Sequence, residues 1–140
     1  MGLDSYAFAA KTVKPNPTDE HSIITGCLDA EGDWQYFDDT KPEEISYWRK
    51  FNALHGWMEN LYSSRGGSNQ FNCLALPLYS DDLQALKKAC ETKSLEPVEG
   101  FFFGTQEPVT DEEYVDVLAF ITKAEMYIHT GYVVYYDSWW

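Results

Sequence analysis

The chain has 140 residues and a formal net charge of −13, from 23 acidic and 10 basic residues. A chain of this length predicts one domain, residues 1–140, with a hydrophobic core of its own. The negative charge argues against direct nucleic-acid binding, because phosphate contacts require basic side chains. The 16% aromatic share excludes disorder across the whole chain.

The cysteines and the hydrophobic runs point to a cellular location. Three cysteines at wide spacings, Cys27, Cys73 and Cys90, predict neither a disulfide framework nor a structural zinc site and favour a reducing cytoplasm, with buried thiols at Cys73 and Cys90. No stretch approaches the roughly 18 apolar residues of a membrane span, and the N-terminus lacks the features of a signal peptide. The position that myristoylation requires to be Ser or Thr holds Tyr6. We therefore expect no membrane attachment.

The predicted elements follow the hydrophobic pattern and the turn residues. In chain order they are a strand near 3–13, a proline-containing surface loop at 14–22, a hairpin made by 22–28 and 33–37, a helix at 42–63, a strand at 73–79 at the edge of a sheet, a helix at 81–93, a buried aromatic segment at 100–104, a helix at 111–129 and a strand at 132–140. This order predicts an α+β fold with a small, mainly antiparallel sheet packed against about three helices.

Capping residues define the ends of the predicted helices. Thr40 as N-cap and Pro42 in the first turn predict the start of the first helix, and Gly66 or Gly67 in the left-handed conformation predicts its end. Ser80 is the predicted N-cap of the second helix. Thr110, with Glu113, forms the capping box of the third.

The first predicted helix, which contains "ISYWRKFNALHGWM", has two different faces at 100° per residue. Its core face consists of Tyr47, Phe51, Leu54, Met58 and Leu61. A second stripe beside it consists of Trp48, Asn52, His55, Glu59 and Tyr62. We expect Asn52 to hydrogen-bond to His55, and Glu59 to orient the imidazole and raise its pKa.

The candidate ligand-binding or partner-binding residues are Trp48, Asn52, His55 and Glu59 of this second stripe and Arg49 beside it in the sequence, with the C-terminal Trp139 and Trp140 as possible neighbours. Three interpretations remain open. The stripe fastens neighbouring loops to the helix, binds a small polar ligand or a partner, or supplies general acid and base groups. Trp139 and Trp140 either pack against the protein or form an exposed anchor for a partner.

Other motifs carry less information. His21, His55 and His129 lack the spacing of metal ligands, and "SRGGSN" lacks the preceding strand and the lysine of a phosphate-binding loop. The acids at 111–116 suit the first turns of a helix, where a cation site is a further possibility. We find no catalytic signature, and we predict no cofactor and no metal site.

Three segments carry a resemblance to a known family. "MGLDSYAF", "EISYWRKFNALHGWM" and "GFFFGT" resemble a family of small, uncharacterised proteins of tailed bacteriophages and some bacteria, whose members begin MGLDMY and carry a YWRKAN-x-H-x-W helix. Phe51 stands where the family usually has alanine, and Ser5 where it has methionine. The resemblance spans most of the chain. It implies an accessory phage protein in the host bacterial cytoplasm and implies no established reaction.

The residues favour a noncatalytic binding protein that modulates a host or phage protein. Two acidic stretches, 29–44 with seven acids and 95–116 with seven acids, suit a partner with a basic surface. An acidic balance is first of all typical of a solvated surface that keeps the protein soluble. One alternative is a small ligand-binding domain or enzyme that uses Trp48, Arg49, Asn52 and His55. The other is a virion or assembly component.

Overall fold

The computed structural model describes residues 2–96 and 108–140. Its strands are β1 (Asp4–Ala10), β2 (Lys14–Asn16), β3 (Asp19–Ile24), β4 (Gly26–Leu28), β5 (Trp34–Tyr36), β6 (Glu43–Arg49), β7 (Leu76–Leu78) and β8 (Val133–Trp139). Its helices are α1 (Asn52–Ser64), α2 (Ser80–Glu91) and α3 (Asp111–His129), with a 3-10 turn at Phe37–Asp39. The predicted α+β class is confirmed. The aromatic segment at 100–104 lies outside the described residues.

The main sheet has four antiparallel strands in the order β6-β1-β8-β7. Side chains alternate along β1 and the residue before it: Leu3, Ser5, Ala7 and Ala9 are buried on the inner face, whereas Tyr6 and Phe8 on the outer face are half-buried. Strand β8 pairs with β1 along its whole length. The strand predicted near the C-terminus therefore exists and is central.

Helices α1 and α3 contact the inner face of this sheet. The ring of Phe120 in α3 meets the indole of Trp48 edge-on, with centroids 5.1 Å apart. The ring of His55 in α1 lies 6.1 Å from that of Tyr136 in β8. Helix α2 packs on α3 and contributes the buried side chains of Leu83, Leu86 and Cys90. The core therefore lies between the sheet and the helices.

The prediction of one helix over 42–63 is wrong in its first part. Residues Glu43–Arg49 form β6, and α1 begins only at Asn52. Lys50, between them, adopts a positive φ of 56°, and its amide donates to the carbonyl of Leu3 at 2.7 Å. The aromatic pair Tyr47 and Trp48 suits a strand, and pairing with β1 prevails over the helical spacing. Thr40 is therefore the C-cap of the 3-10 turn and not the N-cap of a long helix.

The proline-containing segment is also more regular than predicted. Instead of a loop over 14–22, β2 and β3 pair as a hairpin, with Pro15 opposite Ile23. Proline is tolerated in such a short edge strand because one side of it makes no ladder hydrogen bonds. The predicted hairpin is confirmed for its inner part: β4 pairs with β5, and Gly32 takes a positive φ of 84° in the turn, whereas residues 22–24, predicted in its first strand, belong to β3.

Two of the predicted helix ends are confirmed, the end of α1 and the start of α3. Gly66 has a φ of 101°, and the Gly67 amide donates to the carbonyl of Tyr62, which closes α1. The Thr110 hydroxyl accepts from the Glu113 amide at 3.1 Å, and the Glu113 carboxylate accepts from the Thr110 amide at 2.9 Å. Helix α2 starts one residue earlier than predicted, with Tyr79 rather than Ser80 as its N-cap.

Candidate functional site

The structure places Trp48 in β6, not on a helix. The Trp48 side chain is buried, and its indole N–H donates to the Asp116 carboxylate at 2.6 Å. The first turns of α3 hold Asp116, so this bond ties the edge strand to the helix above it. Trp48 therefore acts as a core residue.

His55 is buried at the centre of the molecule, with 1% of its surface exposed. Its Nδ1 lies 3.0 Å from the hydroxyl of Tyr136, which donates to the Ser5 hydroxyl at 2.8 Å. Burial lowers the pKa of His55 to about 4. The prediction that Glu59 raises this pKa is wrong, because removing the ring from water disfavours its charged form.

The other candidate residues of this segment are more exposed than Trp48 and His55. Asn52 is half-buried in the first turn of α1, Glu59 is exposed farther along α1, and Arg49 is exposed at the end of β6. The structure does bring Trp48 and His55 to one place, since both rings approach Tyr136, at 6.5 Å and 6.1 Å. That place is the interior of the protein.

Of the two C-terminal tryptophans, one is exposed and the other packs against the protein. Trp139 is 65% exposed, whereas Trp140 packs against the protein. The Trp140 indole N–H donates to the carbonyl of Phe71 at 2.9 Å, and its backbone exchanges two hydrogen bonds of 3.1 Å with the Asn72 amide side chain. Trp139 is thus the one available as an anchor.

The three cysteines are free thiols. Cys90 is buried, as predicted, and burial raises its pKa to about 11. Cys73 is exposed, so its predicted burial is wrong. It lies in the segment that leads into β7 and has a positive φ of 58°.

The β4–β5 hairpin has features that the sequence interpretation did not connect to a site. Leu28 and Trp34 are directly opposite each other in the register, with 65% and 47% of their surfaces exposed. Cross-strand partners point to the same face, so the two apolar side chains form one exposed pair. The turn between them carries exposed carboxylates at Glu31 and Asp33. We call this surface, made of Leu28, Glu31, Asp33 and Trp34, the hairpin surface.

Three carboxylates in this hairpin, those of Asp29, Glu31 and Asp33, lie close enough to surround a cation. Asp29, however, already uses both of its oxygens. Oδ1 accepts from the backbone amides of Glu31 and Asp33, each at 2.9 Å, and Oδ2 accepts from the Gln35 side chain at 3.2 Å. These bonds, led by the one from the Asp33 amide, hold the pKa of Asp29 below its usual range. The cluster thus shapes the turn of the hairpin.

A cleft of about 200 Å³ opens beside the hairpin surface. Trp34 lines it from β5, and Tyr135 and Asp137 line it from the outer face of β8. Asp137 is half-buried, and burial raises its pKa. The cleft combines one carboxylate with aromatic walls.

The sequence carried part of this information. The hairpin was predicted, whereas the register that sets Leu28 opposite Trp34 comes from the structure. The position of Asp137 beside Trp34 had no sequence signal, because it depends on how the hairpin folds over β8.

No protein-family model, curated protein or solved structure matches the chain. Within the parts of the chain that the structure describes, no helix is both long and apolar enough to cross a membrane. The resemblance to a bacteriophage family, which rests on sequence motifs, stays a prediction. The function is therefore inferred from the surfaces described above.

Proposed function

We propose that this protein is a noncatalytic binding protein that docks on a basic protein through the hairpin surface. The supporting observation is the exposed pair Leu28 and Trp34 beside exposed carboxylates. Leu28 and Trp34 offer apolar area that water covers in the free protein, and such area contributes most of the affinity at an interface. The carboxylates at Glu31 and Asp33 select a partner of opposite charge.

The charge of the whole molecule supports the same partner. Six of the seven acids in the stretch 29–44 are exposed: Glu31, Asp33, Asp38, Asp39, Glu43 and Glu44. A net charge of −13 attracts a basic surface over a distance and raises the rate of association at low ionic strength. The field repels phosphate groups, so the expected partner is a protein rather than a nucleic acid.

The biological setting of the proposal comes from the family resemblance. An accessory phage protein made in the bacterial cytoplasm would meet host and phage proteins there. Basic surfaces are common among proteins that handle nucleic acids, since these bind phosphates. An acidic protein that covers such a surface competes with the nucleic acid for it. We therefore expect the protein to modulate a host or phage protein by occupying its basic surface.

Affinity capture from bacterial lysate tests the proposal. The bait is the wild-type chain, the double variant Leu28→Ser/Trp34→Ser, or the control Val115→Ser/Met126→Ser. The control removes two side chains of α3 that are each 66% exposed and lie away from the hairpin. Each captured protein is identified, purified and mixed again with the bait at low and moderate salt.

The proposal requires that a basic protein binds the wild-type chain and the α3 control alike. It also requires that the hairpin variant binds roughly tenfold more weakly or worse, as expected when a central apolar contact is lost, and that added salt weakens the complex. Recovery of no partner at either salt concentration contradicts the proposal. Equal recovery by the two double variants contradicts the assignment to the hairpin surface.

A further inference from the structure

The cleft between the hairpin and β8 holds a carboxylate that has no cationic partner. Among residues 2–96 and 108–140, none of the ion pairs involves Asp137. Asp137 is half-buried, and burial raises its pKa. A carboxylate that is partly removed from water without a counter-ion is poised to bind a cation, because part of the desolvation cost has already been incurred in folding.

The walls of the cleft indicate what kind of cation fits. Two aromatic residues, Trp34 and Tyr135, line the cleft together with Asp137. Aromatic faces attract organic cations through the charge distribution of the ring. A divalent metal ion would instead require several oxygen ligands, as in calcium and magnesium sites. One carboxylate with aromatic neighbours therefore favours an organic cation.

Among organic cations that a protein partner carries, the guanidinium group of arginine suits this cleft best. It is planar and more weakly hydrated than an ammonium group, it stacks on aromatic rings, and it pairs with carboxylates through two parallel hydrogen bonds. The ammonium group of lysine is a compact, strongly hydrated charge. Lysine would lose more hydration on entering a cleft lined by Trp34 and Tyr135.

We propose that the cleft receives an arginine side chain of the partner, with Asp137 as the counter-ion and Trp34 as the stacking wall. The inference rests on the proposed function, since it names the group of the basic partner that the protein recognises. Trp34 connects the hairpin surface with the cleft, because it belongs to that surface and also lines the cleft. A partner that covers Leu28 and Trp34 is thus positioned to insert a side chain next to Asp137.

Nuclear magnetic resonance titration with arginine amide tests the cleft without any partner. The Trp34 indole N–H and the backbone amide of Asp137 are expected to shift, with a Kd on the order of 1 mM for so small a ligand. Citrulline amide, whose side chain has nearly the same shape as that of arginine but no charge, should shift neither signal. Lysine amide should bind more weakly than arginine amide.

Variants locate the effect. Asp137→Asn should weaken binding of arginine amide roughly fivefold or more, whereas Glu112→Gln, at an exposed carboxylate of α3 outside the hairpin surface and the cleft, should leave it within about twofold. Trp34→Ala, at a position that is 47% exposed, provides a second test that does not depend on how Asp137→Asn folds, and it too should weaken binding. The spectrum of each variant without ligand establishes that it is folded.

Three results would overturn the inference: an unchanged Kd in folded Asp137→Asn, equal shifts with citrulline amide, or tighter binding of lysine amide. This failure is distinguishable from failure of the proposed function. If a partner is captured equally by wild type and Asp137→Asn, the hairpin surface can still be the interface, but the cleft is not part of it. Arginine amide binding that depends on Asp137, without any captured partner, leaves the cleft in place and removes the proposed function.

Discussion

Replacing Tyr62 by Phe removes one hydroxyl from a buried polar pair. The Tyr62 hydroxyl donates to the Asp19 carboxylate at 2.6 Å and accepts from the Asn69 amide at 3.2 Å. Tyr62 is 1% exposed and Asp19 is 7% exposed. The aromatic ring remains in the variant, so its packing on Phe71, with centroids 5.3 Å apart, should persist. The change therefore isolates the hydrogen bonds between α1, the β2–β3 hairpin and the segment after α1.

The expected cost follows from the charge on Asp19. A hydrogen bond to an ionised group contributes about 1.5–3 kcal/mol to stability, and the variant leaves a buried carboxylate with one donor fewer. We expect the free energy of unfolding at pH 7 to fall by about 2 kcal/mol, which moves the midpoint of urea unfolding by roughly 1 M. Tyr132→Phe, at a half-buried ring that packs on Tyr127, is the control and should cost less than ~0.5 kcal/mol.

The pH dependence of the stability difference between wild type and Tyr62→Phe tests the role of the Asp19 charge more sharply than the difference at pH 7 alone. Burial by itself raises the pKa of Asp19, but the hydrogen bonds, led by that from Tyr62, outweigh it and hold the pKa below its usual value of 3.8. A carboxyl whose pKa is depressed in the folded state contributes stability above its unfolded pKa, and that stability is lost as the pH falls through the folded pKa. The difference between wild type and Tyr62→Phe should therefore shrink below about pH 4.

Urea unfolding followed by tryptophan fluorescence, repeated from pH 7 downwards, measures both quantities. A difference below ~0.5 kcal/mol at pH 7, where a surface substitution would lie, would refute the reasoning. So would a difference of about 2 kcal/mol that stays constant as Asp19 protonates, because the loss would then come from packing and not from the charge-assisted hydrogen bond.

Two further predictions follow from other buried groups. The pKa of His55 is about 4 in the folded protein and 6.5 for an imidazole in water, as in the unfolded chain, so the unfolded chain binds a proton on His55 more readily. The free energy of unfolding of the wild type should therefore fall by up to about 3 kcal/mol as the pH is lowered from about 6.5 to 4. The His55→Gln variant should lack this pH dependence, and an unchanged dependence of its unfolding free energy on pH would contradict the burial argument. A thiol reagent should modify exposed Cys27 and Cys73 in the folded protein, whereas buried Cys90, with its pKa near 11, should react only after unfolding; mass spectrometry that finds fast labelling of Cys90 would contradict this.

The sequence predicts those elements whose signals are local. The capping box at Thr110 and the left-handed Gly66 define helix ends within a few residues, and alternation along β1 separates its two faces. The segment at 43–49 shows where local reasoning stops. Tyr47 and Trp48 fit a helical spacing as well as a strand, and only pairing with β1, a partner distant in the sequence, decides between them.

The candidate site follows the same division. The predicted stripe required one continuous helix from Trp48 to Glu59. In the structure Trp48 lies in β6, and the other members of the stripe lie on α1. The pairing of Leu28 with Trp34 was local and therefore within reach of the sequence. The place of Asp137 beside Trp34 depends on tertiary folding, which no spacing in the sequence encodes.

Cross-linking of the complex with the captured partner by a carbodiimide, which joins carboxylates directly to lysines, tests the proposed docking most directly. The account predicts that the cross-links to lysines of the partner concentrate at Glu31 and Asp33 of the hairpin surface. Cross-links that concentrate instead at the exposed acids of the helices, such as Asp81 in α2 or Glu112 in α3, and that omit the hairpin would contradict it.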